Sequence, residues 1–455
     1  MRMCGRVPRL QCCGSRVRVM AFTKLRLTGI VRLAASALTM LALLHTPARA
    51  ATYRIAHDFC SSANCTDGIG PRGGLLFDAA GNAYGVTQQG GANATGSVFR
   101  IARDGRFRTL YDFCAQSCAD GNMPQAALIA DVNGNLYGST PNGGNEGGGS
   151  VFMLSPSPKH ARWKIRTLHG FCSGTPCVDG TQPGARLTYR GADTGLPYDG
   201  VSPLYGTTAL GGWNDAGIVF ELTPNKGGHG WKERVIYTFC ARSQCADGGA
   251  PLGLTMDGAG HLFVATHGGG AHNGGTVLQL SATGKNKEWN ARVLYSFCAR
   301  ARCIDGSGPD TTLLRDAEGN LYGGTSFGGN VSNAGVVFKL TTDGTHWQEN
   351  VLHAFCSQRD CRDGAGAAGT LVMDEAGALY GIAGDGGKHD RTGGAVWRLE
   401  GENYTLLHSF CRPGESCFKG QEPVAGLSIG ANGRLYGETT AGGAKNNGAV
   451  FELTP

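Results

Sequence analysis

LYGGTSFGGNVSNAGVVFKL, residues 321–340, is the stretch on which the fold turns. Leu321-Tyr322-Gly323-Gly324-Thr325 has the apolar, aromatic and β-branched make-up of a short strand, and Gly335-Val336-Val337-Phe338-Lys339-Leu340 that of another. A Gly-rich loop, Phe327–Ala334, joins them. Upstream, Thr311–Leu314 reads as a short strand ending in Asp316-Ala317-Glu318-Gly319-Asn320. In such a turn Asp accepts backbone hydrogen bonds and Gly takes positive φ. Downstream, a polar connection through Trp347 leads to Val351–Phe355, which closes on Cys356. Four short strands with regularly spaced turns make one antiparallel sheet. No apolar period of 3.6 residues appears outside the N-terminal leader, so the chain is all-β.

The unit is copied. Phe-Cys recurs at Phe59-Cys60, Phe113-Cys114, Phe171-Cys172, Phe239-Cys240, Phe297-Cys298, Phe355-Cys356 and Phe410-Cys411, at steps of 54, 58, 68, 58, 58 and 55 residues. A period of that size marks a repeat architecture. Leu-Tyr-Gly returns at Ala83-Tyr84-Gly85, Leu136-Tyr137-Gly138, Leu204-Tyr205-Gly206, Leu262-Phe263-Val264, Leu321-Tyr322-Gly323, Leu379-Tyr380-Gly381 and Leu435-Tyr436-Gly437. Val-Phe accompanies it, from Val98-Phe99 to Val450-Phe451. Strands apolar on both faces must be covered on both, which radial stacking achieves. The expectation is a seven-bladed β-propeller with blades at about 73–113, 125–171, 184–239, 251–297, 311–355, 369–410 and 424–455 plus 53–59. The last copy lacks a fourth strand, and Tyr53–Phe59 has a fourth-strand sequence with no preceding three. This segment is therefore expected to complete blade seven and remove the exposed edges. The third repeat departs most, with Tyr189–Ser202 in place of the Asp turn.

Residues 1–50 read as a secretory leader. Lys24, Arg26 and Arg32 precede an apolar run, Leu33–Leu44, and Ala48-Arg49-Ala50 is a small-x-small cleavage site. The run is too short to span a bilayer. Met20 offers a second start, and neither a lipid-anchor cysteine nor a C-terminal membrane tail is seen. The leader holds nine of the 41 basic residues and no acidic ones, leaving 32 against 35 and a net charge of about −3. Without a basic run, a nucleic-acid partner is not expected. The protein should be exported, to the periplasm or beyond, and monomeric.

Fourteen cysteines remain, two per repeat: Cys60/Cys65, Cys114/Cys118, Cys172/Cys177, Cys240/Cys245, Cys298/Cys303, Cys356/Cys361 and Cys411/Cys417. An even count in an exported chain reads as disulfides. Zinc would want CxxC knuckles with further ligands, so no metal and no cofactor is expected.

In a four-stranded meander the loops after strands two and four emerge on one face. Here these are the Gly-Gly and cysteine loops, and scaffold-held loops commonly carry binding. The regular polar feature there is the aspartate before glycine: Asp67, Asp120, Asp179, Asp247, Asp305 and Asp363, with Lys419 in the seventh copy. These six are candidate binding residues; the plainer reading is that each caps its own turn. His57, His169, His353 and His408 share a fourth-strand position with Tyr111, Tyr237 and Tyr295, which suits packing with a polar tip. His267 and His272 flank one Gly-Gly loop as a possible local ligand site. Trp163, Trp231, Trp289 and Trp347 open fourth strands and should pack within their hairpins. No serine or threonine has a paired His and carboxylate, so no catalytic residue is assigned.

Leu-Tyr-Gly-x-Thr, Gly-Gly and Gly-x-Val-Phe-x-Leu together, clearest at Leu204–Leu222 and Leu321–Leu340, resemble the GloVer (Gloeo/Verruco) tandem repeat of the choice-of-anchor bacterial surface proteins. The resemblance covers nearly all of residues 53–455. It implies an exported bacterial protein of tandem repeats, often with a sorting tail, and no defined activity. No such tail is evident here. The expected function is a secreted, non-catalytic binding or surface scaffold for a glycan, an envelope component or a protein. The alternative is a polysaccharide-acting lyase or hydrolase with a site on one irregular blade: blade three, with Asp193, Tyr198 and Asp199, or blade four.

Overall fold

A computed structural model describes residues 51–455 apart from 116, 158–162, 228–229, 285–287, 389–391 and 412–416. The leader expectation lies outside the described residues. Seven antiparallel sheets follow one another around a ring, a seven-bladed β-propeller in which, among the described residues, the only helices are one-turn 3-10 segments. Blade one shows the pattern: Ile69–Phe77, Ala83–Gln89, Ser97–Ile101 and Phe107–Asp112, innermost to outermost. Its inner strand begins ahead of residue 73 and buckles between Arg72 and Leu76, as the sixth does between Ala368 and Val372. In blade five the inner strand is broken into Ser307–Pro309 and Leu314–Arg315. Blade three keeps three regular strands, with Thr188 bridging Tyr205 on the inner side.

Thr52–Asp58 pairs antiparallel with Ala449–Thr454, placing Tyr53 opposite Leu453 and Ile55 opposite Phe451. Its register shifts between Ile55 and His57, at the point where the other six blades shift between the Val and the aromatic or leucine of the third strand. Blade seven also meets blade one in the common way. A Cβ on Gly448 would lie 2.7 Å from Pro71 Cδ, just as one on Gly96 would from Pro124.

The repeated motifs are packing instructions. The glycine of Leu-Tyr-Gly is extended, yet a Cβ on Gly206 would stand 2.3 Å from Phe220 Cζ, and one on Gly437 would stand 2.4 Å from Phe451 Cζ. The aromatic ring of strand three therefore occupies the space that a side chain on strand two would need. Phe99, Phe152, Phe220, Phe338 and Phe451 are buried there, each contributing about 1.5–3 kcal/mol by leaving water. The tryptophans work between blades rather than within hairpins. Trp163 packs on Tyr84, Trp231 on Tyr137, Trp289 on Tyr205 and Trp347 on Phe263, always a ring of the preceding blade.

Candidate functional site

Seven disulfides close the cysteine loops, each within one repeat. Cys60 is joined to Cys65, Cys114 to Cys118, Cys172 to Cys177 and Cys240 to Cys245. Cys298 is joined to Cys303, Cys356 to Cys361 and Cys411 to Cys417. These are the pairs the spacing suggests. They fasten the loops, and none of the fourteen lines the central cavity of the ring.

Beneath each loop the aspartate gathers backbone amides. Asp67 accepts from the Ser61 and Ser62 amides, Asp247 from Ala241 and Arg242, and Asp305 from Ala299 and Arg300. Asp120 and Asp179 accept from Cys114 and Cys172. The His/Tyr position supplies the remaining partner. The Tyr111, Tyr237 and Tyr295 hydroxyls donate to Asp120, Asp247 and Asp305 at 2.6–2.8 Å. His57 and His353 Nε2 lie 3.3 Å from Asp67 and Asp363, and His169 Nε2 lies 3.7 Å from Asp179. The six carboxylates thus point into their own loops, and they do not converge. In the seventh copy the Lys419 carbonyl accepts the Tyr53 hydroxyl, and Tyr53 stacks on His408 with centroids 4.0 Å apart.

Burial pushes the Asp363 carboxyl up, but His353, the Ser357 hydroxyl and the amides of Ser357 and Gln358 outweigh it and hold it at about 2. Its contribution to stability is therefore complete above the unfolded value of 3.8 and lost as pH falls towards 2. Asp363→Asn should destabilise the protein at pH 7, and the gap should close between about pH 4 and 2. Urea melts at pH 7 and 2.5 test this; a gap independent of pH would refute the assignment.

A cavity shared by all the blades lies at the centre of the ring. Every cysteine loop feeds an inner strand through the frame Asp-Gly-x-x-Pro, with Lys419 for Asp once and Ala367 for Pro once. The residue after that proline position is Arg72, Gln125, Gly184, Leu252, Asp310, Ala368 or Val424, and all seven line a single cavity of about 230 Å³. One position of the repeated frame thus holds seven different residues, six side chains and a glycine, around one channel. Arg186 also lines it. At the blade five side, Asp310 accepts the Ser326 hydroxyl at 2.8 Å. Burial raises its carboxyl, opposed by Ser326, His267 and Arg72. Asp385, at the end of the second strand of blade six, is raised by burial and by Glu422. No sequence motif flagged this ring; the available signal was a single variable site inside an otherwise repeated frame.

The loop face around the channel also carries Leu210, Trp213, Ile304, Phe327, Val331 and Phe418, all exposed. Of the two histidines singled out from the sequence, His267 reaches the channel region, 6.3 Å from the Phe327 ring. His272 is exposed on the Gly-Gly loop. Among the described residues no group of three or more His, Cys, Asp and Glu is arranged to hold a metal. In the blade three insertion Asp193 and Asp199 are exposed, whereas Tyr198 is not. Tyr198 is fully buried against Tyr137 and Tyr189, its hydroxyl donating to the Ser202 carbonyl. Asp199 is taken up by the Val201 and Ser202 amides. The insertion replaces a strand-one-to-two turn, so it falls on the turn side and packs against blade two through the Asp131–Tyr198 bridge.

Fold and channel define a seven-bladed propeller with one central, blade-asymmetric cavity. The chain belongs to the Gloeobacter/Verrucomicrobia repeat family, whose model matches residues 44–202 and 193–451. No curated protein matches it significantly. Among solved structures it is similar to the extracellular domain of a putative hybrid two-component system from B. thetaiotaomicron. That match has 10% identity and a TM-score of 0.51, covering 88% of this chain and 39% of that one. The chain thus spans about two fifths of that protein's length. It is also similar to a gluconolactonase from Xanthomonas campestris, at 13% identity and TM-score 0.40 over 78% and 90% of the two chains. A putative glucose dehydrogenase from Thermus thermophilus matches at 16% identity and TM-score 0.41 over 89% and 100%. Identities this low speak to the fold alone.

Proposed function

We propose that this is an exported, non-catalytic binding protein whose ligand enters the central channel from the loop face. The observation that carries the reading is the ring of seven unlike residues, Arg72 to Val424, at one register position. Repeated positions serve the blade; a position that differs in every copy serves something the blades share. Seven disulfides in short loops support an oxidising compartment, and no described helix is long and apolar enough to cross a membrane.

The cavity is smaller than the ~300–1,000 Å³ typical of small-molecule sites, which suits one saccharide unit or one side chain, with the rest of the ligand on the loop face. Arg72, Gln125, Asp310 and Thr312 supply donors and acceptors for hydroxyls, and exposed Phe327 offers a ring to stack on. A glycan is therefore the favoured ligand. A glycan array followed by calorimetry on the best hit should show Arg72→Ala and Asp310→Asn binding tenfold or more weakly, in line with about 1.5–3 kcal/mol for a hydrogen bond to a charged group. Unchanged affinity in both variants would remove the channel from the account.

One observation favours the enzymatic alternative: Asp310 stands at the channel, accepting the Ser326 hydroxyl at 2.8 Å near His267, where a carboxyl could serve as a general acid. A reducing-sugar assay separates the two. Turnover abolished by Asp310→Asn would establish catalysis, and binding without product supports the scaffold.

A further inference from the structure

On the opposite, turn side, the junction of blades seven and one lacks an aromatic cover that four other junctions have. In blades two to five a tryptophan opening the fourth strand covers an aromatic ring of the preceding blade. In blade one, Gly105 stands at that place, six residues before Tyr111, as Trp347 stands before His353. The uncovered ring is Tyr436, beside Phe77 at 4.8 Å. Over it opens a depression of about 480 Å³, walled by the small residues Ala79, Ala80, Gly81, Gly430 and Ala431. Gly105 faces open space.

Arginines rim this depression. Arg54, Arg103 and Arg434 line it, and Arg100, Arg103 and Arg106 line a second depression of about 470 Å³ that shares the hairpin tip Ala102–Arg106. Five guanidiniums face two carboxylates, Asp104 and Glu452. Glu452 is already clasped by Arg54 and Arg434, and Asp104 by Arg106 at 2.7 Å. Among the described residues no carboxylate lies within ion-pair distance of Arg100 or Arg103, and Arg100 Nε is buried without an acceptor. No basic run marks this cluster in the sequence, because Arg54 and Arg434 come from opposite ends of the chain and join the blade one hairpin only in the fold.

We propose that this junction binds an acidic polysaccharide. Sugar rings would lie on Tyr436 and Phe77, and their oxyanions would be held by the arginine forks, which match carboxylate and sulfate geometry. The site is independent of the channel. The expected behaviour is binding of the full mature chain to polygalacturonate or dextran sulfate, weakening steeply with salt, and no binding to neutral dextran. The relative strength of the two acidic polymers identifies the preferred oxyanion. The triple variant R100Q/R103Q/R106Q alters exposed or half-buried side chains and leaves the Glu452 clasp intact. It should bind about tenfold or more weakly with a shallower salt dependence, at an unchanged melting temperature. Arg72→Ala should leave this binding untouched. Failure to bind either acidic polymer, equal binding by the triple variant, or preference for duplex DNA over both would overturn the proposal.

Discussion

Gly206→Val is expected to destabilise the protein by about 3 kcal/mol, and adding Phe220→Leu to recover most of the loss. The backbone at Gly206 is ordinary extended strand, so the penalty is one of space: its Cβ would meet Phe220 Cζ at 2.3 Å and Cε1 at 2.9 Å. Forcing extra carbons into a filled core costs roughly 1–3 kcal/mol. Blade four shows the compensated form within the same chain. Val264 replaces the glycine and Leu278 replaces the phenylalanine, and the two stand opposite each other in register, as Gly206 and Phe220 do. A double-mutant cycle by urea unfolding should therefore give a coupling of about 2 kcal/mol favouring the double variant. Additive effects would show that the two positions do not exchange volume.

The second large effect is a pH-dependent one at Glu438, which sits in the second strand of blade seven where other blades have residues such as Val86, Thr207 or Ile382. It is fully buried, with Oε2 accepting the Gly74 amide at 2.9 Å across the junction and Oε1 without a hydrogen-bond partner. Burial pushes its carboxyl up to about 8, opposed only by that amide. The folded protein thus keeps a proton that the unfolded chain releases above 4.5, so stability declines from about pH 4.5 to 8 and levels off beyond. Glu438→Gln removes the decline. The variant should match the parent near pH 5 and exceed it by roughly 4 kcal/mol at pH 8, at 1.36 kcal/mol per unit of displacement. Parallel stability profiles over this range would mean that the carboxyl is not buried as described.

Much of the architecture was readable because its signals are local and repeated. Leu-Tyr-Gly and Val-Phe each name a strand, and their recurrence counts the blades. The complementary fragments at Tyr53–Phe59 and Val450–Leu453 announced the pairing seen between Thr52–Asp58 and Ala449–Thr454. The aspartates were readable as turn caps, but their partners were not. His353 and Tyr295 looked like packing residues because nothing in the chain shows that their tips reach Asp363 and Asp305. The tryptophans were placed in the wrong pairing for the same reason: hairpin neighbours are visible in sequence, and blade neighbours are not. The blade three insertion looked like an irregular place for chemistry, and packing made it an internal brace around Tyr198.

By itself the sequence determined the all-β class, the seven copies and the disulfide pairings, since each depends on residues within one repeat. Only the tertiary structure decided where a ligand could bind. The channel draws one residue from each of seven blades, and the arginine junction joins Arg54 to Arg434 across almost the whole chain. A binding site is made by convergence in space, and convergence between distant copies leaves no periodic trace in the chain that encodes it.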